Sequence, residues 1–121
     1  MTLPALLLIA LGGALGSVAR ALVGWAMPAG RLPWGTIAIN VAGSLLIGWL
    51  MGKMSPLSAD NLRVHSFAVV GFCGGFTTFS AFSWQTFEQL QQGRWAAAAV
   101  HVFLSVTLCL ATTGLGWRLA R

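Results

Sequence analysis

Carboxylates are almost missing from this chain of 121 residues: Asp60 and Glu88 are the only two, and both lie in or near the links between apolar stretches. A pair of acids for general acid/base work cannot be assembled from them, and no nucleophile triad can be read. Cysteine is nearly as scarce. Cys73 and Cys109 both fall inside apolar stretches without metal-ligand spacing, so each reads as a small packing residue rather than half of a disulfide. Charged residues make up only 7% of the chain. Enzymatic chemistry is therefore poorly supported, and the scarcity of acidic residues disfavours a cation path.

What the chain has in quantity is apolar length. Hydrophobic residues are 57% of the total and the mean hydropathy is +0.81, values that belong to an integral membrane protein. Four spans can be drawn, about Leu3 to Trp25, Trp34 to Met51, Val64 to Leu90 and Trp95 to Trp117. Each is long enough to cross a bilayer as a helix. The expectation is an all-α membrane protein, with residues 1–121 forming a single four-helix transmembrane domain. Proline, glycine and charge punctuate the links at Met27 to Pro33, Lys53 to Arg63 and Gln91 to Arg94. Trp25, Trp34, Trp49, Trp95 and Trp117 fall near span ends, as an interfacial aromatic belt requires, and only Trp84 lies well inside. The first span lacks the charged leader of a signal peptide and stays apolar past Arg20, so it reads as a membrane helix.

The net charge of +5 is dispersed rather than clustered, which removes nucleic acid as a partner. With four spans, Lys53, Arg63, Arg118 and Arg121 share one side of the membrane, and Arg20, Arg31 and Arg94 share the other. Lys/Arg asymmetry sets orientation, so a difference of one gives almost no instruction. Two readings stay open: insertion in both orientations, giving an antiparallel dual-topology homodimer, or one weakly specified orientation.

Polar residues inside the spans carry the functional signal. In the second span Thr36, Asn40, Ser44, Gly48 and Gly52 recur every four residues along one helix side. Asn40 needs partners in hydrocarbon, and its N–H donors can face an anion while a neighbour holds its carbonyl. The fourth span repeats the device with Ala97, His101, Ser105, Cys109 and Thr113, which implies a buried polar seam. In the third span Gly71, Gly74, Gly75, Thr77 and Thr78 predict a helix broken at membrane depth, where freed carbonyls near Gly74 to Thr78 can hold a desolvated cation. Beyond the break Phe79, Phe82, Ser83 and Thr86 share one helix face. A phenyl edge is positive and can stabilise a small anion without the grip of a lysine.

The runs Gly12 to Arg20 (GGALGSVAR), Gly35 to Gly48 (GTIAINVAGSLLIG) and Gly71 to Ser83 (GFCGGFTTFSAFS) resemble the CrcB/Fluc family of bacterial fluoride channels, and the likeness extends to Gly114 and Gly116. The resemblance implies a passive fluoride-selective channel of the bacterial inner membrane, exporting fluoride that entered as neutral HF and so conferring fluoride resistance. It further implies an antiparallel homodimer with two pores and a sodium ion at its centre. By motif position, Asn40 matches the pore asparagine, Phe79 and Phe82 the pore-facing phenylalanine pair, and Ser105 the fourth-span hydroxyl. Arg20 matches a first-span arginine of the vestibule, while Gly74 and Thr77 match the positions whose backbone carbonyls bind sodium. Thr36, Ser83 and His101 complete the expected fluoride path. Members of the family often carry tyrosine where this chain has His101 and glutamate where it has Gln85. The alternative is a small proton-coupled multidrug transporter of four helices, which needs a carboxylate at membrane depth. Glu88 is the one remote candidate.

Overall fold

The computed structural model describes residues 2–121 and shows helices joined by short links, with no strand among the described residues. Helix α1 is Leu3–Ala26, α2 is Trp34–Lys53, α4 is Phe79–Gln91 and α5 is Trp95–Leu119. Helix α3, residues 62–76, changes its winding along its length. It starts as α-helix over Leu62–Val64, continues as a π-helix over His65–Cys73 and returns to α over Gly74–Phe76. Four segments are long and apolar enough to cross a membrane: α1, α2, the stretch Ala59–Gln91 that contains α3 and α4, and α5.

Local chemistry accounts for the ends. Proline opens α1 in its first turn, and α1 stops at Met27 ahead of Pro28, since the residue before proline is pushed out of helical geometry. Helix α2 starts directly after Pro33. The α4–α5 hairpin turns on Gly93, whose φ of 70° lies in the left-handed region that a side chain disfavours. There the N–H groups of Gly93 and Arg94 donate to the carbonyls of Leu90 and Gln89, closing the end of α4. All six tryptophans are at least partly exposed, the most open being Trp25.

Two helix pairs make the body, α1 against α3 and α2 against α5, with α4 folded back on α5. Glycine lets both pairs approach to backbone contact. A Cβ on Gly12 would run into the backbone of Phe67 and Phe72, and one on Gly48 would run into Thr113. The small-residue stripe of α2 is thus packing at its Gly48 and Gly52 end, where Gly52 sits on Trp117 and Ala120.

In the third span the interruption occupies only the last two residues of the expected stretch Gly71 to Thr78. Gly71, Gly74 and Gly75 remain helical, and the interruption comes at Thr77 and Thr78, both extended with ψ of 158° and 118°. Gly71 and Gly75 serve contact with α1 instead, because a Cβ on either would strike the backbone of Ile9 or Gly13. The 33 residues of Ala59–Gln91 would extend about 50 Å as one α-helix, against a hydrocarbon core of about 30 Å.

Burial is inverted relative to a water-soluble protein. Leucines along α1 such as Leu3, Leu11, Leu15 and Leu22 are exposed, whereas Thr36, Thr78, Gln89, His101 and Ser105 are buried. Among the described residues, the one large side chain with no exposed surface is His101. An apolar exterior suits lipid, and a polar interior in such a fold marks a path or a binding site.

Candidate functional site

The break is held open by a side chain. Asn40 Oδ1 accepts the Thr78 N–H at 2.8 Å and Asn40 Nδ2 donates to the Thr78 carbonyl at 3.0 Å, so one amide group stands in for both helical bonds of that residue. Across the chain this replaces the ladder that Thr77 and Thr78 leave. Thr77 keeps a last helical bond, N–H to the Cys73 carbonyl, and its hydroxyl donates to the same oxygen at 2.8 Å. The Thr78 hydroxyl accepts from the Ala81 N–H at 3.2 Å and so caps α4. Sequence expectation left both N–H donors of Asn40 for an anion, and the structure commits one of them to Thr78, leaving the second.

The clamp stands between two cavities, and Thr78 lines both. The first, of about 500 Å³, is walled by Asn40, Ser44, Phe79, Phe82 and Ser105, with Gly74 and Thr77 at the break. Cys73 and Cys109, both free thiols, also line it. The second, of about 510 Å³, takes Thr36 from α2, Arg20 from α1, and Arg31 and Arg94 from two different loops. Helix α4 adds Gln85, Glu88 and Gln89. Three arginines against one glutamate give this cavity a positive field, which concentrates small anions at its mouth. Gln89 Nε2 donates to the Arg31 carbonyl at 3.4 Å and ties α4 to the α1–α2 loop.

The aromatic pair is assembled as its spacing predicts. The Phe79 and Phe82 centroids lie 5.4 Å apart at 45°, and Phe82 meets the His101 ring at 4.9 Å and 68°, an edge-on contact. Phe79 is 79% exposed in the single chain, so one wall of the first cavity is open. His101 lines neither cavity, and its Nδ1 lies 3.1 Å from the Thr86 hydroxyl. Ser83 is not brought in: it is exposed on α4 and lines neither cavity.

Arg20 Nη1 donates to the Thr77 carbonyl at 3.3 Å, which places the arginine at the break itself rather than at a lipid-facing span end. That carbonyl retains a second lone pair. Gly74 C=O loses its usual i+4 donor, because the Thr78 N–H is diverted to Asn40. Two neutral carbonyl oxygens released at one break suit a small hard cation, so the residues fit the sodium expected there. The Arg20 charge beside Thr77 opposes it in part.

Gln89, Arg31 and Arg94 were missed at the level of sequence, because they come from loops or helix ends far apart in the chain; Thr78 was expected in the break, but not as the partner of Asn40. Glu88, the exchanger's one candidate, lines the second cavity two residues past Thr86 in the last turns of α4, and it faces three arginines there.

Comparison with known proteins agrees with this architecture. The family model described as "CrcB-like protein, Camphor Resistance (CrcB)" matches residues 7–117. A protein of Nitrobacter winogradskyi named "Fluoride-specific ion channel FluC" is 45% identical over 121 residues, covering 96% of this chain and 94% of the relative. Proteins of the same name from Geobacter sulfurreducens and Geobacter metallireducens are 43% and 47% identical, covering 96% and 93% of this chain and 96% and 94% of their own lengths. With a match across nearly its whole length and four apolar spans, the chain belongs to the CrcB-like family of multi-pass bacterial membrane proteins.

Proposed function

We propose that this chain is a passive fluoride-selective channel of the bacterial inner membrane that lets cytoplasmic fluoride leave down its gradient. The observation that carries the reading is the clamp of Asn40 on Thr78, set between a basic cavity and one lined by amide, hydroxyl and phenyl groups. In the first cavity a small anion that binds hydrogen-bond donors strongly can exchange water for the free Asn40 N–H, the Ser105 hydroxyl and ring edges, and no lysine or arginine lines that cavity to hold it too long. Larger halides gain less from such donors. Proteoliposomes loaded with fluoride should release it to an electrode with no proton gradient, while chloride release stays at the rate of protein-free vesicles. Equal fluxes of the two anions, or fluoride movement only under a proton gradient, would overturn the reading.

The working unit is an antiparallel homodimer of dual-topology chains, each a single membrane domain with its third span broken at membrane depth. The first cavity supports this, because its open wall bears Phe79 and Gly74, and a second copy would close it. Two copies related by a two-fold axis would bring together two Gly74 and two Thr77 carbonyls, a set for one sodium ion at the dimer centre. In cells, a cysteine placed in the α4–α5 turn should be labelled from both sides of the membrane. The purified dimer should also melt at a lower temperature when N-methylglucamine replaces sodium. Labelling from one side only removes dual topology, and an unchanged melt removes the ion.

A further inference from the structure

Helices α4 and α5 bury four polar atoms that find no partner among the described residues: Gln85 Oε1, Gln89 Oε1, His101 Nε2 and Ser105 Oγ. The four residues are spaced i, i+4 on each of two antiparallel helices that meet at His101 through Thr86 and Phe82, and we read them as one seam. Ser105 opens it to the first cavity, and Gln85 and Gln89 open it to the second. His101 lines neither cavity and has no exposed surface.

The hydrogen bonds around His101 decide which of its nitrogens carries the proton. Thr86 has one hydroxyl hydrogen and donates it to the Phe82 carbonyl at 2.8 Å. With that hydrogen on the Phe82 carbonyl, Thr86 Oγ1 accepts from His101 Nδ1 at 3.1 Å, and on this network we assign the N–H to Nδ1. A neutral imidazole has one N–H, which leaves Nε2 as a bare lone pair in the seam. That lone pair repels an anion. A second proton turns the same atom into a donor and gives the ring a positive charge. Edge-on contact with Phe82 fixes the ring's direction in either state. No charged side chain bonds to the ring. Of the helices packed on it, α4 carries only Glu88, which lines the second cavity with Arg20, Arg31 and Arg94, and α2 carries only Lys53 at its far end. Helix α5 itself carries Arg118 in its last turn.

We propose that His101 contacts the permeating anion through Nε2 only when that nitrogen has gained a proton, so that fluoride and a proton occupy this point of the seam together. The inference rests on the fluoride reading above. The step adds one proton from cavity water to Nε2 and returns it when the anion has gone; no other bond changes. Conduction stays downhill for fluoride, and the proton sets how often the seam accepts it.

Fluoride efflux is measured at equal pH on both sides, from about pH 6 to about pH 9, with leakage of HF through protein-free vesicles subtracted. Parent flux should fall with rising pH, up to about tenfold per unit once the ring is neutral. His101→Gln keeps an N–H at every pH and should give a flat profile. In Thr86→Val the acceptor for Nδ1–H is gone, the neutral ring can carry its hydrogen on Nε2, and the slope should flatten with flux recovered at the alkaline end. A flat parent profile overturns the proposal, as does a Thr86→Val profile as steep as the parent's. For variants that do not fold, the nitrogen resonances of ¹⁵N-histidine in the parent give a separate answer. Without fluoride at alkaline pH, the neutral ring should hold its hydrogen on Nδ1, and added fluoride should protonate Nε2; a neutral Nε2–H ring without fluoride overturns the idea. Parent protein that passes no fluoride at any pH refutes the channel reading instead.

Discussion

Asn40→Ala is expected to lower fluoride efflux by about 100-fold or more and to reduce thermal stability at the same time. Loss of a hydrogen bond to a charged partner is worth about 1.5–3 kcal/mol, which at about 1.4 kcal/mol per factor of ten is about 10- to 100-fold for the anion contact alone. The substitution also strips both of these bonds from Thr78 and leaves its N–H without its side-chain acceptor. An orphaned buried group costs about 1–3 kcal/mol. Asn40→Asp tests the donor in a second way. It keeps an acceptor for the Thr78 N–H, yet it sets a carboxylate oxygen against the Thr78 carbonyl and in the anion's way. Its flux should be as low as that of Asn40→Ala, and its melting temperature should fall as well. Efflux at the parent rate in either variant would show that the clamp is a fastening only.

Phe82→Ile should reduce efflux at least tenfold while costing on the order of 1 kcal/mol in stability, since a branched aliphatic chain fills much of the same space. The argument is geometric. Phe82 presents to both neighbours, 5.4 Å from Phe79 and 4.9 Å from His101, so its ring orients two groups of the path as well as offering its own edge. Aromatic contacts of this kind are worth about 0.5–1.5 kcal/mol each beyond area burial. Phe79→Ile removes one such contact and should show the smaller loss. Electrode traces and melting curves on the same preparations decide it: parent flux in folded Phe82→Ile would return the pair to simple packing.

Much of the fold could be read from the sequence because membrane helices announce themselves by apolar length and by the prolines, glycines and tryptophans at their ends. Within the spans, Asn40 and the Phe79–Phe82 pair stood out because amide and paired rings have no use against lipid. Which residues of the expected stretch Gly71 to Thr78 leave the helix did not follow from local sequence. Gly71, Gly74 and Gly75 looked like the weak point, but glycines in this setting serve close helix contact as readily as unwinding, and only the partner at Asn40, 38 residues away, decides that Thr78 leaves the ladder. The π winding of His65–Cys73 has no local sign either. Ser83 shares the face of Phe79, and that face turns towards the side a single chain leaves open, so helical periodicity alone could not separate cavity wall from exterior. The basic cavity is assembled from four segments, which no window along the chain can show.

The clamp also bears on how the chain is made. Asn40 precedes Thr78 by 38 residues, so the group that satisfies the break has already left the ribosome when the break emerges. Had the order been reversed, two bare peptide groups would meet hydrocarbon before their partner existed, at several kcal/mol for each. Chain order therefore lets the second span act as a template on which the third completes its fold.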